Sequence, residues 1–276
     1  MAMHVYLFLT GALAGSVGAL LGVGGGFIAV PIMFMVLGLP PQVAVGISLT
    51  MTFFNSLSGS LTFWRQKRID FASGWKFALA TIPGAIAGSH LAEGFTDRSF
   101  SIVFGGLLLA LALLMYRNSL TTQKSPKTAN SAPLPLKRPY SGWVVRDFKD
   151  AQGNEYRYSF NEYWGIGASL GVGFISSILG IGGGIIHMPF MLMVLKFPPH
   201  VAAATSLFIL SWSSLIGAVT HFSLGHFAWP MAIALALGGV LGAQFGAAIS
   251  RHITPVYLVK LFALAMALVG VRLVLG

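Results

Sequence analysis

Apolar runs long enough to cross a bilayer recur along the whole chain, separated by short polar or glycine- and proline-bearing interruptions. A membrane-spanning helix needs about 20 such residues. The pattern predicts helical segments at 5–21, 27–38, 42–64, 74–92 and 99–116, then at 164–180, 185–196, 200–222, 228–250 and 255–274. The segments at 27–38 and 185–196 are too short to cross alone. At 1.5 Å per residue, a dozen residues cover roughly 18 Å of a hydrocarbon core about 30 Å thick. The polar stretch 117–162 divides the two sets. Within it, Trp143–Phe148 and Glu155–Phe160 alternate apolar and polar residues around Gln152-Gly153-Asn154, which predicts a β-hairpin. The expected organisation is a transmembrane repeat at 1–117, a linker at 118–162 and a second transmembrane repeat at 163–276.

Composition agrees with that reading. Of 276 residues, 55% are hydrophobic and 9% charged, with a mean hydropathy of +0.79. A soluble domain carries about 25% charged residues, so a soluble enzyme, a disordered chain and a collagen are excluded. The absence of cysteine removes disulfide scaffolds, thiolate metal sites and cysteine nucleophiles. The net charge of +10 needs no nucleic-acid partner, because half of the charged residues lie in 117–162 and four more in Arg65–Asp70. Basic loops between apolar spans are what orientation in a membrane produces. The expected partners are the lipid bilayer and a small solute, with oligomeric state left open. The first apolar run has no basic leader or cleavage site, so it reads as a retained span.

The chain is a duplication. Leu21-Gly22-Val23-Gly24-Gly25-Gly26-Phe27-Ile28-Ala29-Val30-Pro31 returns as Leu179-Gly180-Ile181-Gly182-Gly183-Gly184-Ile185-Ile186-His187-Met188-Pro189, at an offset of 158. Without a gap, 21 of the 43 positions in 21–63 are identical to those in 179–221, and Gly84-Ala85 matches Gly242-Ala243. Equivalent loops carry opposite charge bias. Arg65–Asp70 is basic where 223–228 has no lysine or arginine, whereas 92–98 is net acidic where its equivalent holds Arg251 and His252. That opposition predicts inverted repeats. It places the linker and the 65–70 loop in the cytoplasm and both termini outside. Each half is then an all-α unit, a glycine-tipped helical hairpin followed by three transmembrane helices. The alternative is one broken helix from Val5 to Leu37 crossing once, with eight spans and parallel halves.

Three consecutive glycines inside an apolar stretch, duplicated and followed by a short segment, predict a helix break. Irregular backbone survives at membrane depth only when packed in protein or lining a cavity. The breaks at Gly24, Gly25 and Gly26 and at Gly182, Gly183 and Gly184 expose the amides that start Phe27 and Ile185. Helix N-termini attract anions through those amides and the positive dipole end. Polar side chains recur on the following span: Ser48 with Ser206, Asn55 with Ser213, Ser56 with Ser214. Of these, Ser48, Asn55, Ser206 and Ser213 join the glycines as candidate anion-binding residues. His187, opposite Ala29 in the repeat, is a further candidate for anion contact or proton exchange. His90, Gln244 and His221 are weaker, the last expected at the interface.

The duplicated glycine–proline motif, followed by Pro-Pro and a serine-bearing span, resembles the TauE/SafE family of sulfite and organosulfonate exporters across 5–116 and 164–274. The resemblance implies a bacterial inner-membrane transporter of small sulfur-containing anions such as sulfite, thiosulfate or sulfonates, carrying over the glycines and Pro31 and Pro189. The linker at 117–162 looks long for the family. No cofactor is expected, and the ATP-binding pattern Gly-x-x-x-x-Gly-Lys-Ser/Thr does not occur. Two other readings stand beside it: an anion channel on the same frame, and an intramembrane serine hydrolase. Ser56-Leu57-Ser58-Gly59 lacks the leading glycine that the hydrolase would need.

Overall fold

The computed structural model describes residues 2–122, 142–249 and 255–275. Ten helices account for most of them, with one two-stranded sheet. The helices are α1 (Ala2–Leu21), α2 (Gly26–Pro31, continuing as a π-helical turn Ile32–Val36), α3 (Pro41–Arg65), α4 (Phe71–Ala92) and α5 (Asp97–Thr122). After β1 (Trp143–Lys149) and β2 (Glu155–Asn161) come α6 (Glu162–Leu179), α7 (Gly184–Met193), α8 (Pro199–Ser223), α9 (Trp229–Ile249) and α10 (Pro255–Leu275). Among the described residues, four stretches are long and apolar enough to cross a membrane: Met3–Leu21, Asp97–Met115, Pro199–Ser223 and Trp229–Ile249. Helices α3 and α4 match them in length but are diluted by hydroxyl, amide and lysine side chains.

Each break folds its chain back. Gly25 lies against Ala14 and Gly18 of α1, and Leu7 shares a buried cluster with Met33 from the end of α2. In the second half, Gly183 lies against Val172 and Ser176 of α6, while Nε2 of His187 is 3.3 Å from the Ser169 hydroxyl. The second limbs therefore return alongside the first. Pro31 has no N–H to donate, and the ladder past it reopens with Leu37 bonding Ile32 at 3.3 Å.

The halves interleave. Helix α1 packs along α9, and α6 along α4, both with backbone on backbone. Gly242 sits against the carbonyl of Ala12, and Gly84 against that of Leu170, its partner at the repeat offset. Gly246 and Gly88 repeat the contact on Ser16 and Phe174. Small residues on both faces allow this approach. Helix α3 packs on α8 through a reciprocal pair: Leu49 against Gly217, and Leu207 against Gly59. Those pairings make α3 and α8 antiparallel. Helix α5 pairs with α10, and their apolar faces join both breaks in one buried cluster containing Phe104, Leu108, Leu21 and Ile181.

The expected β-hairpin is present, antiparallel, with Trp143 opposite Asn161 and Lys149 opposite Glu155. Its buried face, Tyr158 and Phe160, rests on Phe77 of α4 and on Leu195 and Phe197 beyond α7. The stretch 125–139 and the Arg251–His252 pair lie outside the described residues.

Candidate anion site at the paired glycine breaks

The two breaks meet beside the middles of α3 and α8. Gly26 touches the Gly180 carbonyl and Ile181, and Gly184 touches Val23. Gly24 (φ 92°), Gly25 (φ 87°), Gly182 (φ 68°) and Gly183 (φ 85°) are left-handed, a conformation that costs other L-residues roughly 1–2 kcal/mol each. Glycine at these positions is what lets the helices restart. The ladder of α2 begins with Ile28 bonding Gly25 at 3.1 Å, and that of α7 with Ile186 bonding Gly183 at 3.1 Å. The amides of Gly26 and Gly184 stand ahead of the first rung in each helix.

Side chains from α3 stitch the breaks in place. Ser48 donates to the Gly180 carbonyl at 2.7 Å, so the first half holds the tip of the second. Asn55 donates Nδ2 to the Gly24 carbonyl at 3.0 Å, and its Oδ1 is buried without a hydrogen-bond partner among the described residues. Thr52, one turn from Ser48, touches both Gly24 and Gly182 through its methyl group, and its hydroxyl is likewise buried and unpartnered. Ser206, Ser213 and Ser214 on α8 are buried with unpartnered hydroxyls, Ser214 beside Gly182. Buried polar atoms in native proteins are ordinarily satisfied. Of the unsatisfied ones here, the hydroxyls of Thr52, Ser206, Ser213 and Ser214 can donate, whereas the Asn55 oxygen only accepts.

Sequence reasoning missed Thr52, although 48, 52 and 55 share one helical face. It also missed the buried Ser176 and Ser177 just ahead of the second break. The His187 amide bonds the Gly183 carbonyl at 2.9 Å, while its fully buried side chain bonds Ser169 and stacks on Phe77 with centroids 6.1 Å apart. His221 is also fully buried, in the last turn of α8. Gln244 instead reaches the α3 surface, its amide donating to the Ser58 hydroxyl at 2.6 Å.

One end of the molecule is fastened by ionic contacts. The carboxylate of Asp70 caps α4 through the Ser73 amide (3.1 Å) and accepts from the Tyr158 hydroxyl (2.9 Å) and Nε of Arg146 (3.3 Å). Burial, then the charge of Asp70, pushes the Tyr158 phenol up from its usual value. Asp150 pairs with Arg68 at 3.3 Å and closes the hairpin turn by accepting from the amides of Gln152 and Asn154, each at 2.9 Å. Burial opposes its ionisation, but the hydrogen bonds from Asn154, Gln152 and Tyr156 outweigh it and lower the carboxyl to about 2.

Comparison with known proteins agrees with this architecture. The probable membrane transporter protein YunE of Bacillus subtilis is 35% identical over 98% of this chain and 97% of its own length. A probable membrane transporter protein of Methanocaldococcus jannaschii is 24% identical over 98% of this chain and 94% of its own length. YjnA of Bacillus subtilis, also named a probable membrane transporter protein, is 25% identical over 99% of this chain and 100% of its own length. No solved structure matches. The family described as sulfite exporter TauE/SafE matches residues 7–273, and with ten helices, apolar spans and relatives named as transporters, this chain belongs to that family of multi-pass membrane transporters.

Proposed function

We propose that this protein is a secondary transporter that exports a small sulfur-containing anion, such as sulfite, thiosulfate or an organosulfonate, bound between the two glycine breaks. The observation that carries the reading is the meeting of two left-handed breaks beside Thr52 and Ser214, whose buried hydroxyls have no hydrogen-bond partner among the described residues, and beside Asn55, whose Nδ2 gives one of its two N–H groups to Gly24. Helix starts and hydroxyl or amide donors hold an oxyanion without lysine or arginine. Because Gly26 touches Gly180 and Gly184 touches Val23, the tips must part to admit the anion. Contact between the tips is what a carrier's closed state has, and it favours a carrier over a permanently open channel.

The antiparallel packing of the equivalent helices α3 and α8 supports inverted halves, since a twofold axis relating antiparallel helices lies across them. On that frame the β-hairpin and the 65–70 loop share the cytoplasmic side of a bacterial inner membrane, and both termini lie outside. The proposed units are the repeats 1–117 and 163–276 joined by the linker 118–162.

The test is a thermal-shift panel of sulfite, thiosulfate, sulfoacetate, taurine, chloride and phosphate on the purified protein. A ligand that binds only the folded state raises the melting temperature by linkage. A shift with a sulfur anion, lost in Asn55→Ala, supports the site. A shift with chloride or phosphate alone, or none, overturns the substrate class. Saturable counterflow of labelled anion in vesicles supports a carrier, whereas unitary conductance supports a channel.

A further inference from the structure

The described membrane helices hold no acidic side chain between their ends, so histidines are the groups there that exchange protons near neutral pH. One of them is joined to a loop histidine. His221, fully buried on α8, places Nε2 2.9 Å from the carbonyl of Ser177 and Nδ1 3.3 Å from Nδ1 of His226, in the loop before α9. His226 is half-buried at the end of the molecule opposite the β-hairpin. Ser177 lies in the last turn of α6, ahead of the break at Gly180, and its own hydroxyl is buried and unpartnered.

This geometry fixes the protons. A carbonyl only accepts, so Nε2 of His221 carries hydrogen and donates to Ser177. In neutral His221, Nδ1 is then bare, and Nδ1 of His226 must be the donor that faces it. One added proton enters at Nε2 of His226, and the Nδ1 proton crosses the shared hydrogen bond to His221. The net result is one positive charge on the pair, with no other bond changed. A second proton would set N–H against N–H at 3.3 Å and place two like charges together. His90 of α4 and His226 are the titratable groups that face His221. From α3 it meets uncharged Gly46, and from α6 the Ser177 carbonyl. The repeat equivalent of His221 is Phe63, so the pair exists in one half only.

We infer that His221 and His226 form a one-proton port that carries a single charge from the surface to the foot of the second glycine break. Its use, offsetting the charge of a moving anion, rests on the transport reading above. The pair itself does not.

The experiment therefore has two arms. Histidine-labelled protein in lipid nanodiscs is titrated by NMR, with signals assigned through His90→Gln, His221→Gln and His226→Gln. His221 and His226 are expected to move in one common transition that takes up one proton. His226→Gln is expected to shift the His221 transition by at least one pH unit, with the fold verified by the unchanged remaining spectrum. Independent transitions, each indifferent to loss of the other, overturn the port. In the second arm, vesicles loaded with a pH dye receive gradients of sulfite, thiosulfate or sulfoacetate. Proton movement accompanying the anion is expected to fall at least tenfold in His221→Gln and to persist in His90→Gln. Equal proton movement in His221→Gln overturns coupling through the pair. If wild-type vesicles move none of the three anions, the substrate reading fails while the titration still decides the port.

Discussion

Asn55 donates to the carbonyl of Gly24 at 3.0 Å and keeps its own amide oxygen buried without a partner among the described residues. One N–H of Nδ2 thus fixes a left-handed break, and the second N–H, not the accepting oxygen, is the group that can donate to an anion. Asn55→Ala removes a bond with a net value of about 1 kcal/mol. The melting temperature should fall by a few degrees in detergent, as measured by intrinsic fluorescence, while anion-induced stabilisation disappears. Asn55→Asp keeps the shape but brings an anionic oxygen toward the tips. It should abolish anion binding even where the protein folds as well as wild type.

Glycine stripes make a sharper prediction, because they come in pairs. A Cβ at Gly242 would collide with the Ala12 carbonyl and one at Gly84 with that of Leu170. Backbone atoms cannot step aside as a side-chain end can. Overpacking of this kind costs typically about 1–3 kcal/mol. Gly84→Ala and Gly242→Ala should therefore destabilise by similar amounts in chemical unfolding, whereas Gly106→Ala, with open space beside it, should not.

The hairpin seat responds to pH in a defined direction. The Asp150 carboxyl lies near 2, below its ordinary 3.8, so its stabilisation is complete above the ordinary value and fades as pH falls from about 4 toward 2. Protection of the β1 and β2 amides against hydrogen exchange, taken relative to the intrinsic rates at each pH, should fall over that window, ahead of protection in α3 and α8. In Asp150→Asn, that protection should already be low at pH 7 and change little down to pH 3.

Tyr158 tests the second fastening. Its hydroxyl donates to a carboxylate at 2.9 Å, a class of bond worth about 1.5–3 kcal/mol. Tyr158→Phe keeps the ring packed on Phe197 but leaves Asp70 with Ser73 and Arg146. Limited proteolysis at the hairpin should speed up several-fold, with helical content unchanged by circular dichroism.

Much of this was legible in the residues. The glycine runs, the gapless offset and the alternation around Gln152-Gly153-Asn154 each signal a local conformation, and local signals survive without tertiary context. Which helices would touch was not legible. The Gly84 and Gly242 contacts depend on helices from opposite halves lying side by side, and nothing in either stripe names its partner. For the same reason the partner of His221 was not legible: its position near the end of α8 was evident, but the Ser177 carbonyl it bonds belongs to α6. Thr52 fell between, on the right face but with no counterpart in the repeat, where Leu210 stands.

The interleaving of the two halves bears on how the protein is made. Helix α1 finds its seat on α9, which the ribosome completes only at Ile249. Until then the leading segment has no neighbour for its small-residue stripe and must wait unassembled in the translocation machinery or the lipid. A gene encoding either half alone would yield a polypeptide with its stripes bare, fit for degradation. Two fragments severed in the linker and synthesised together would each supply the surface that the other lacks.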